Sequence, residues 1–275
     1  MQFELGNTFL ISIIMPAFNA ELYIEEAIQA ALDQTYANIE LLVINDGSSD
    51  STKEKILKFE DSRIRYFQQE NLGVSSARNV GLANMRGDYF CFLDADDILP
   101  PNSLKSRLEI FQSKLSLSFV DGAVAFKDEK LEHTLRVHKP DFMGSPLPEL
   151  LNLNDSCFSS LSWMIRRTEA NAHIRMHESI SHGEDLLYFM ELARSGGLYG
   201  YTEDLVLNYR QHPASAMKNI EHLENGYWRI YDYIKSWDEF TFSHKFVYRL
   251  KVKKFIMLDY LKRGNYKNAL SLLFK

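Results

Sequence analysis

The chain has 275 residues, 45% hydrophobic, 25% charged and 13% aromatic, a globular profile with room for one large domain or two small ones. Thirty-one Lys and Arg against 37 Asp and Glu leave a net charge of −6, which excludes a general polyanion binder, so no nucleic-acid partner is expected. Two cysteines, Cys91 and Cys157, cannot staple a chain of this size, and no long uncharged apolar run suits a membrane span. Residues 1–10 carry Glu4 and no Lys or Arg, unlike a signal peptide, so a reducing, cytoplasmic setting is expected.

The first hundred residues alternate two patterns. Residues 11–15 and 39–45 are short β-branched runs suited to strands buried on both faces. Between them, residues 21–33 place Leu22, Ala27, Ile28, Ala31 and Leu32 on a helical stripe, with Asn19 available as its cap. A helix after Ser49 or Asp50 turns Ile56, Leu57 and Phe59 inward. Residues 63–68 read as a strand, 74–85 as a helix closed by Arg86-Gly87, and 88–93 as the most apolar strand. This β-α-β-α-β-α-β order predicts an α/β protein with a mostly parallel, Rossmann-like sheet flanked by helices.

Alternation then weakens. A helix over 102–114 follows Pro100-Pro101, strands are expected at 117–126, 131–137, 160–166 and 204–209, and residues 139–148 form a Pro-containing connection. Residues 184–194 read as a helix ending at Gly196-Gly197, and everything from about residue 221 reads as helical. The expected organisation is a body over 1–218, with halves 10–115 and 116–218, and a helical extension over 219–275. From residue 245 onward nine basic residues face one acidic one, a surplus of eight, so the preceding 244 residues carry −14. Such a basic, aromatic-rich tail suits an anionic membrane surface, in a protein peripheral to the inner face of a membrane; equally, its apolar residues suit packing as two short helices.

In open parallel sheets ligands bind outside the carboxyl ends of the strands. Those ends carry Pro16-Ala17-Phe18-Asn19, Asn45-Asp46-Gly47-Ser48 and Asp94-Ala95-Asp96-Asp97, with no Walker lysine and no G-x-G-x-x-G after the first strand. Asp94 and Asp96, two apart in extended chain, face one way, and clustered carboxylates at the end of an apolar strand call for a hard divalent cation. The same residues also suit a solvated turn. His173, His177 and His182 do not make a zinc motif, since Ile174 stands where a zincin needs Glu. Trp163 suits either a sugar-stacking wall or the core.

Four segments carry a resemblance: Pro16 to Glu21, Val43 to Asp50, Asn71 to Asn79, and Phe92 to Asp97. In identity, order and spacing they resemble the family 2 glycosyltransferases, nucleotide-sugar-dependent enzymes of A-type fold, across residues 10–115. A weaker likeness continues through Gly183-Glu184-Asp185 and residues 209–215. Asn45 departs from the pattern, where many relatives have a second Asp.

The resemblance implies that Pro16, Ala17 and Phe18, with Glu21 close by, cradle the nucleoside and that Asp46 accepts the base N3–H. It implies that Arg78 approaches the base and diphosphate, Asp94 the ribose or donor sugar beside Ala95, and Asp96 a Mn²⁺ or Mg²⁺ ion whose shell His212 completes. The bland alternatives are a turn aspartate at Asp46, an Arg78 paired on its own helix and a loop histidine at His212. Asp185, opening a helix, is the candidate general base, with Glu184 and Trp163 on the acceptor side. One base and no carboxylate nucleophile imply inversion. The function expected is transfer from a UDP-sugar donor to a glycan or lipid-linked saccharide acceptor in surface polysaccharide or lipooligosaccharide synthesis. A sugar nucleotidyltransferase and a non-catalytic nucleotide-sugar-binding protein are the alternatives; the first should carry a Gly-rich, basic first loop that residues 16–19 lack.

Overall fold

A computed structural model describes residues 9–158, 160–213 and 219–272. Residues 1–8, the Ala214-Ser215 end of the late motif, the boundary at 218 and the Lys275 end of the tail lie outside the described residues.

Strands β1 (Ile11–Ala17), β2 (Ile39–Asp46), β3 (Ile64–Gln69) and β4 (Tyr89–Phe92) are parallel, and helices α1 (Ile24–Leu32), α2 (Thr52–Ile56) and α3 (Val74–Asn84) connect them. Then come α4 (Ser103–Ser113), β5 (Leu117–Lys127), β6 (Thr134–His138), α5 (Leu147–Leu151), β7 (Met164–Arg166), α6 (Glu184–Arg194) and β8 (Leu198–Arg210). The sheet order is β3-β2-β1-β4-β7-β5-β6, with β8 paired to β5. β7 lies antiparallel between β4 and β5, β6 is antiparallel to β5, and β8 runs parallel to β5. The expected mostly parallel α/β sheet is borne out.

Both faces of the sheet are covered, which is why its central strands lack polar alternation. Ile13, Met15, Leu41 and Val43 enter one core with Ile28 of α1 and Leu108 of α4. Ile14, Leu42, Ile44, Phe90 and Phe92 enter the other with Ala77 of α3, Leu187 of α6 and the C-terminal helices. Those helices are α7 (Ile220–Ile234), α8 (Phe242–Lys262) and α9 (Tyr266–Ser271). No described helix is long and apolar enough to cross a membrane.

Local details depart from the sequence pattern where tertiary contacts override it. Asn19 does not cap α1: it sits at φ +47° and its Oδ1 accepts from the Ser49 N–H, while Tyr23 holds the cap position. Leu22 and Leu57 are exposed, because α1 begins only at Ile24 and α2 ends at Ile56, short of the stripes expected of them. Residues 131–133 precede β6 and 160–163 precede β7; β8 starts six residues earlier than expected, and α5 begins at the last two residues of the expected connection.

Trp163 belongs to the core and not to an acceptor wall. It is fully buried, its ring lies 4.5 Å from Phe189 and 5.1 Å from both Phe119 and Tyr199, and its Nε1–H donates to the Cys157 carbonyl at 2.7 Å. A side chain so enclosed cannot stack on a ligand. Truncation should leave a cavity and an unpaired carbonyl, so Trp163→Ala is expected to lower stability by about 3–5 kcal/mol, read from denaturant unfolding.

Candidate active site

The loops leaving β1 and β2 are tied to each other before any ligand arrives. Pro16 and Ala17 end β1 as buried residues, and Phe18 beyond them is 48% exposed. The Asn19 N–H donates to Ser48 Oγ, the Ala20 N–H to Thr52 Oγ1 and the Glu21 N–H to Asp50 Oδ2, while Glu21 Oε2 accepts from the Ser51 N–H. Glu21 thus holds the loop together. At the end of β2, buried Asp46 accepts from Gln69 Nε2 at 2.6 Å and from the Leu72 and Gly73 N–H groups at 2.9 Å. Its carboxylate organises the turn that opens α3. Because Asp46 only accepts, the Gln69 amide must point Nε2 at it, leaving Oε1 as a buried acceptor with no partner among the described residues.

Arg78 connects the chemistry. On the buried face of α3, its guanidinium donates to Asp94 Oδ1 at 2.7 Å and to Glu184 Oε1 at 3.0 Å. Neither partner lies on its own helix: one is the loop after β4, the other the first turn of α6. Gly183, at φ +79°, makes the left-handed turn that starts α6, and Asp185 Oδ1 accepts the Leu186 N–H at 2.7 Å. Glu184 is pushed up to about 7 by burial and then by Asp185, against the pull of Arg78. Burial raises Asp185 as well, opposed by Arg78 and reinforced by Asp94. One guanidinium therefore faces three carboxylates, which raise its own affinity for the proton despite burial.

A second junction forms where β8 returns. His212 Nε2 lies 2.8 Å from Asp96 Oδ2, and the Tyr23 ring packs 5.1 Å from the imidazole. Buried Arg210 donates to the Asp96 and Glu129 carbonyls and to Glu26 Oε2, stacks 4.8 Å over Tyr23, and gives its N–H to buried Asp97. Residues 94–97 form a turn closed by the Asp97 N–H on the Asp94 carbonyl, not the extended chain expected from the sequence, and Asp97 is taken up by Arg210 while Asp96 meets His212. Burial and then Asp94 raise Asp96, opposed by His212.

Ala95, between Asp94 and Asp96 in the chain, is buried. No group of three or more His, Cys, Asp or Glu arranged as a metal site occurs among the described residues. The donor chemistry of Asp96 and His212 nevertheless fits a divalent ion completed by ligand oxygens: a carboxylate held above its usual range by burial and by the Asp94 charge gains from a cation, and an imidazole adjoins it.

Arg210, Tyr23, Asp97 and Gln69 had no assigned role in the sequence. Arg210 stands two residues before His212 at a strand end, a spacing that places both on one side, and that was the available signal. The others depend on contacts across 23 to 189 positions. Their partners are spatial neighbours only.

The C-terminal helices buttress the α6 end of the site. A methyl group at Gly226 of α7 would stand 2.0 Å from the His182 carbonyl, and Ile230 of α7 packs against Gly183. Removing the shared cation should expose how far the two loops depend on it. Arg78→Met is expected to lower stability by about 3–5 kcal/mol, because it strands buried carboxylates. Of these, Glu184 and Asp185 are raised by burial, and Glu184 becomes neutral as pH falls through about 7, so the loss should be larger at pH 8 than at pH 5 in denaturant melts.

Residues 12–172 match the family described as Glycosyl transferase family 2. An uncharacterized glycosyltransferase of Rickettsia typhi is 43% identical over 229 residues, covering 79% of this chain and 71% of that protein. An Escherichia coli protein, WfgD, named as a UDP-Glc:alpha-D-GlcNAc-diphosphoundecaprenol beta-1,3-glucosyltransferase, is 45% identical over 117 residues, 42% of this chain and 46% of its own. The chain spans about a third of two further Rickettsia relatives, 35% and 36% of their lengths. Among solved structures, S. aureus TarS 1-349 in complex with UDP-GlcNAc superposes with a TM-score of 0.68 at 19% identity, covering 91% of this chain and 72% of that one. The fold is shared, and the family match covers more than half of the chain, including Asp46, Arg78, Asp94 and Asp96, so this protein belongs to glycosyltransferase family 2.

Proposed function

We propose that this chain is a metal-dependent, inverting transferase that moves a sugar from a UDP-sugar to a lipid-linked saccharide acceptor. The observation that carries the reading is the double engagement of Arg78, which holds the Asp94 loop and the Glu184-Asp185 turn on one guanidinium. Donor-side carboxylates and the candidate base are thereby kept within one side chain's reach. The names of WfgD and of the TarS complex support UDP as the donor nucleotide, and WfgD supports a diphospho-lipid saccharide as the acceptor class.

Phe18, exposed past β1, offers a face to the nucleoside. The uracil N3–H would meet Asp46 at the end of β2, whose carboxylate already holds the turn into α3. Mn²⁺ or Mg²⁺ on Asp96 and His212 would neutralise the departing diphosphate. Asp185 takes the acceptor hydroxyl's proton. A free aspartate near pKa 3.9 is a weak base, and the burial that raises Asp185 makes it a better one. Glu184 pins Arg78 and so keeps that guanidinium from neutralising Asp185 outright. Displacement by the hydroxyl from the face opposite the leaving diphosphate inverts the anomeric carbon.

Two measurements test this reading. Calorimetry with UDP and Mn²⁺ should show metal-dependent affinity in the wild type and none in Asp96→Ala; equal UDP binding by both, with and without metal, overturns the metal assignment. In UDP-release assays with a lipid-linked acceptor, Asp185→Asn should keep donor affinity and lose about 10² or more in kcat. The wild-type kcat should fall on the acid side as the base is protonated, with an apparent pKa above the ordinary aspartate range, and Asp185→Asn should abolish that limb. A chain that binds UDP without turnover under every donor tried would be a binding protein instead.

A further inference from the structure

Helix α8 is apolar on two opposite sides. Its inner stripe, Tyr248, Val252, Ile256 and Tyr260, recurs every four residues and is buried against α5, α7 and α9. Residues two positions out of phase lie about 200° around the helix. That outer ridge reads Phe242, Phe246, Leu250, Lys254, Leu258 and Lys262. Its first three members are 86%, 62% and 58% exposed, and Leu258 is 45% exposed. The ridge beside it carries Lys245, Arg249 and Lys253. Beyond the helix, Tyr266 and Leu270 of α9 are also exposed. The sequence left two alternatives for this tail, packing on the body or lying on a membrane, and the helix has one face for each.

A helix that only covers a core needs no second apolar ridge, and leaving Phe and Leu in water is unfavourable in proportion to their area. We infer that the outward face of α8 docks this protein on an anionic lipid surface, with Phe242, Phe246, Leu250 and Leu258 inserted at the headgroup boundary and the basic residues on the headgroups. Charge favours this occupant. The residues from 245 onward carry a surplus of eight positive charges, while the preceding 244 carry −14 and are repelled by the same surface, so the field orients the molecule tail first. Lys254 and Lys262 share the ridge with the inserted side chains. Lysine is depleted at the dry centre of protein interfaces, whereas at a bilayer its long stem lies along acyl chains and its ammonium reaches the phosphates. The inference concerns binding alone and stands apart from the donor and acceptor reading.

Vesicle sedimentation with the whole chain tests it. Binding to vesicles of phosphatidylcholine with phosphatidylglycerol should exceed binding to phosphatidylcholine alone and weaken with added salt. Phe242→Ser, Phe246→Ser and Leu250→Ser combined should abolish it, with the thermal melt unchanged because all three positions are exposed. Lys254→Gln and Lys262→Gln should each weaken binding about fivefold without altering UDP affinity. Equal sedimentation with neutral and anionic vesicles overturns the electrostatic account. A concentration-dependent dimer without lipid, broken by the same triple substitution and accompanied by no vesicle binding, would assign the face to a second copy of this chain instead.

Discussion

The Arg78 guanidinium is the constraint on which the rest of the site depends. A cation buried on both sides by sheet and helix is tolerated only with counter-charges at bonding distance, and Asp94 and Glu184 supply them from loops 90 residues apart. That requirement works in both directions. The loop after β4 and the turn into α6 must close on α3 to satisfy the arginine, and the arginine must stay to keep their carboxylates from repelling one another. Burial first, and then the excess negative charge of three carboxylates around one cation, raises Glu184 to about 7 and raises Asp185 above the ordinary aspartate range.

A second clamp of the same kind closes the other side. Arg210 at the end of β8 holds the Asp96 carbonyl, the β5–β6 connection and α1 together, and the backbone pairing of Ile98 with Asn208 fixes where β8 passes the acidic loop. His212 reaches Asp96 because of that path. Two arginines, each buried and each bonded to several elements, thus tie the loops at the carboxyl ends of the strands to one another. The outer helices extend the argument: α7 rests on the Gly183 turn, α8 rests on α7, and the exposed side of α8 remains for a surface outside the protein.

Several sequence-derived roles changed character in the structure. Asp46 and Glu21 suit ligand contact by their positions at strand ends, yet both carboxylates are engaged with backbone N–H groups of neighbouring loops, so in the structure they organise those loops. The Arg78 alternative of a partner on its own helix fails because α3 has no acidic residue, a fact already legible in residues 74–84. Trp163 went to the core because the short β7 sits mid-sheet, between β4 and β5, with helices covering both faces.

The sequence by itself determined the parallel order of the first four strands, the placing of Asp46, Asp94 and Asp96 at their carboxyl ends, and α6 with Glu184 and Asp185 in its first turn. These follow from local periodicity and from the rule that a strand followed by a helix returns parallel, which need no knowledge of distant contacts. Only the tertiary structure decided which acid pairs with which base, that His212 meets Asp96, that Trp163 is core, and that α8 turns one apolar side inward and another outward. Ion pairing acts over a few ångströms of space regardless of chain separation, and one helical pattern can serve a core or a surface until its neighbours are in place.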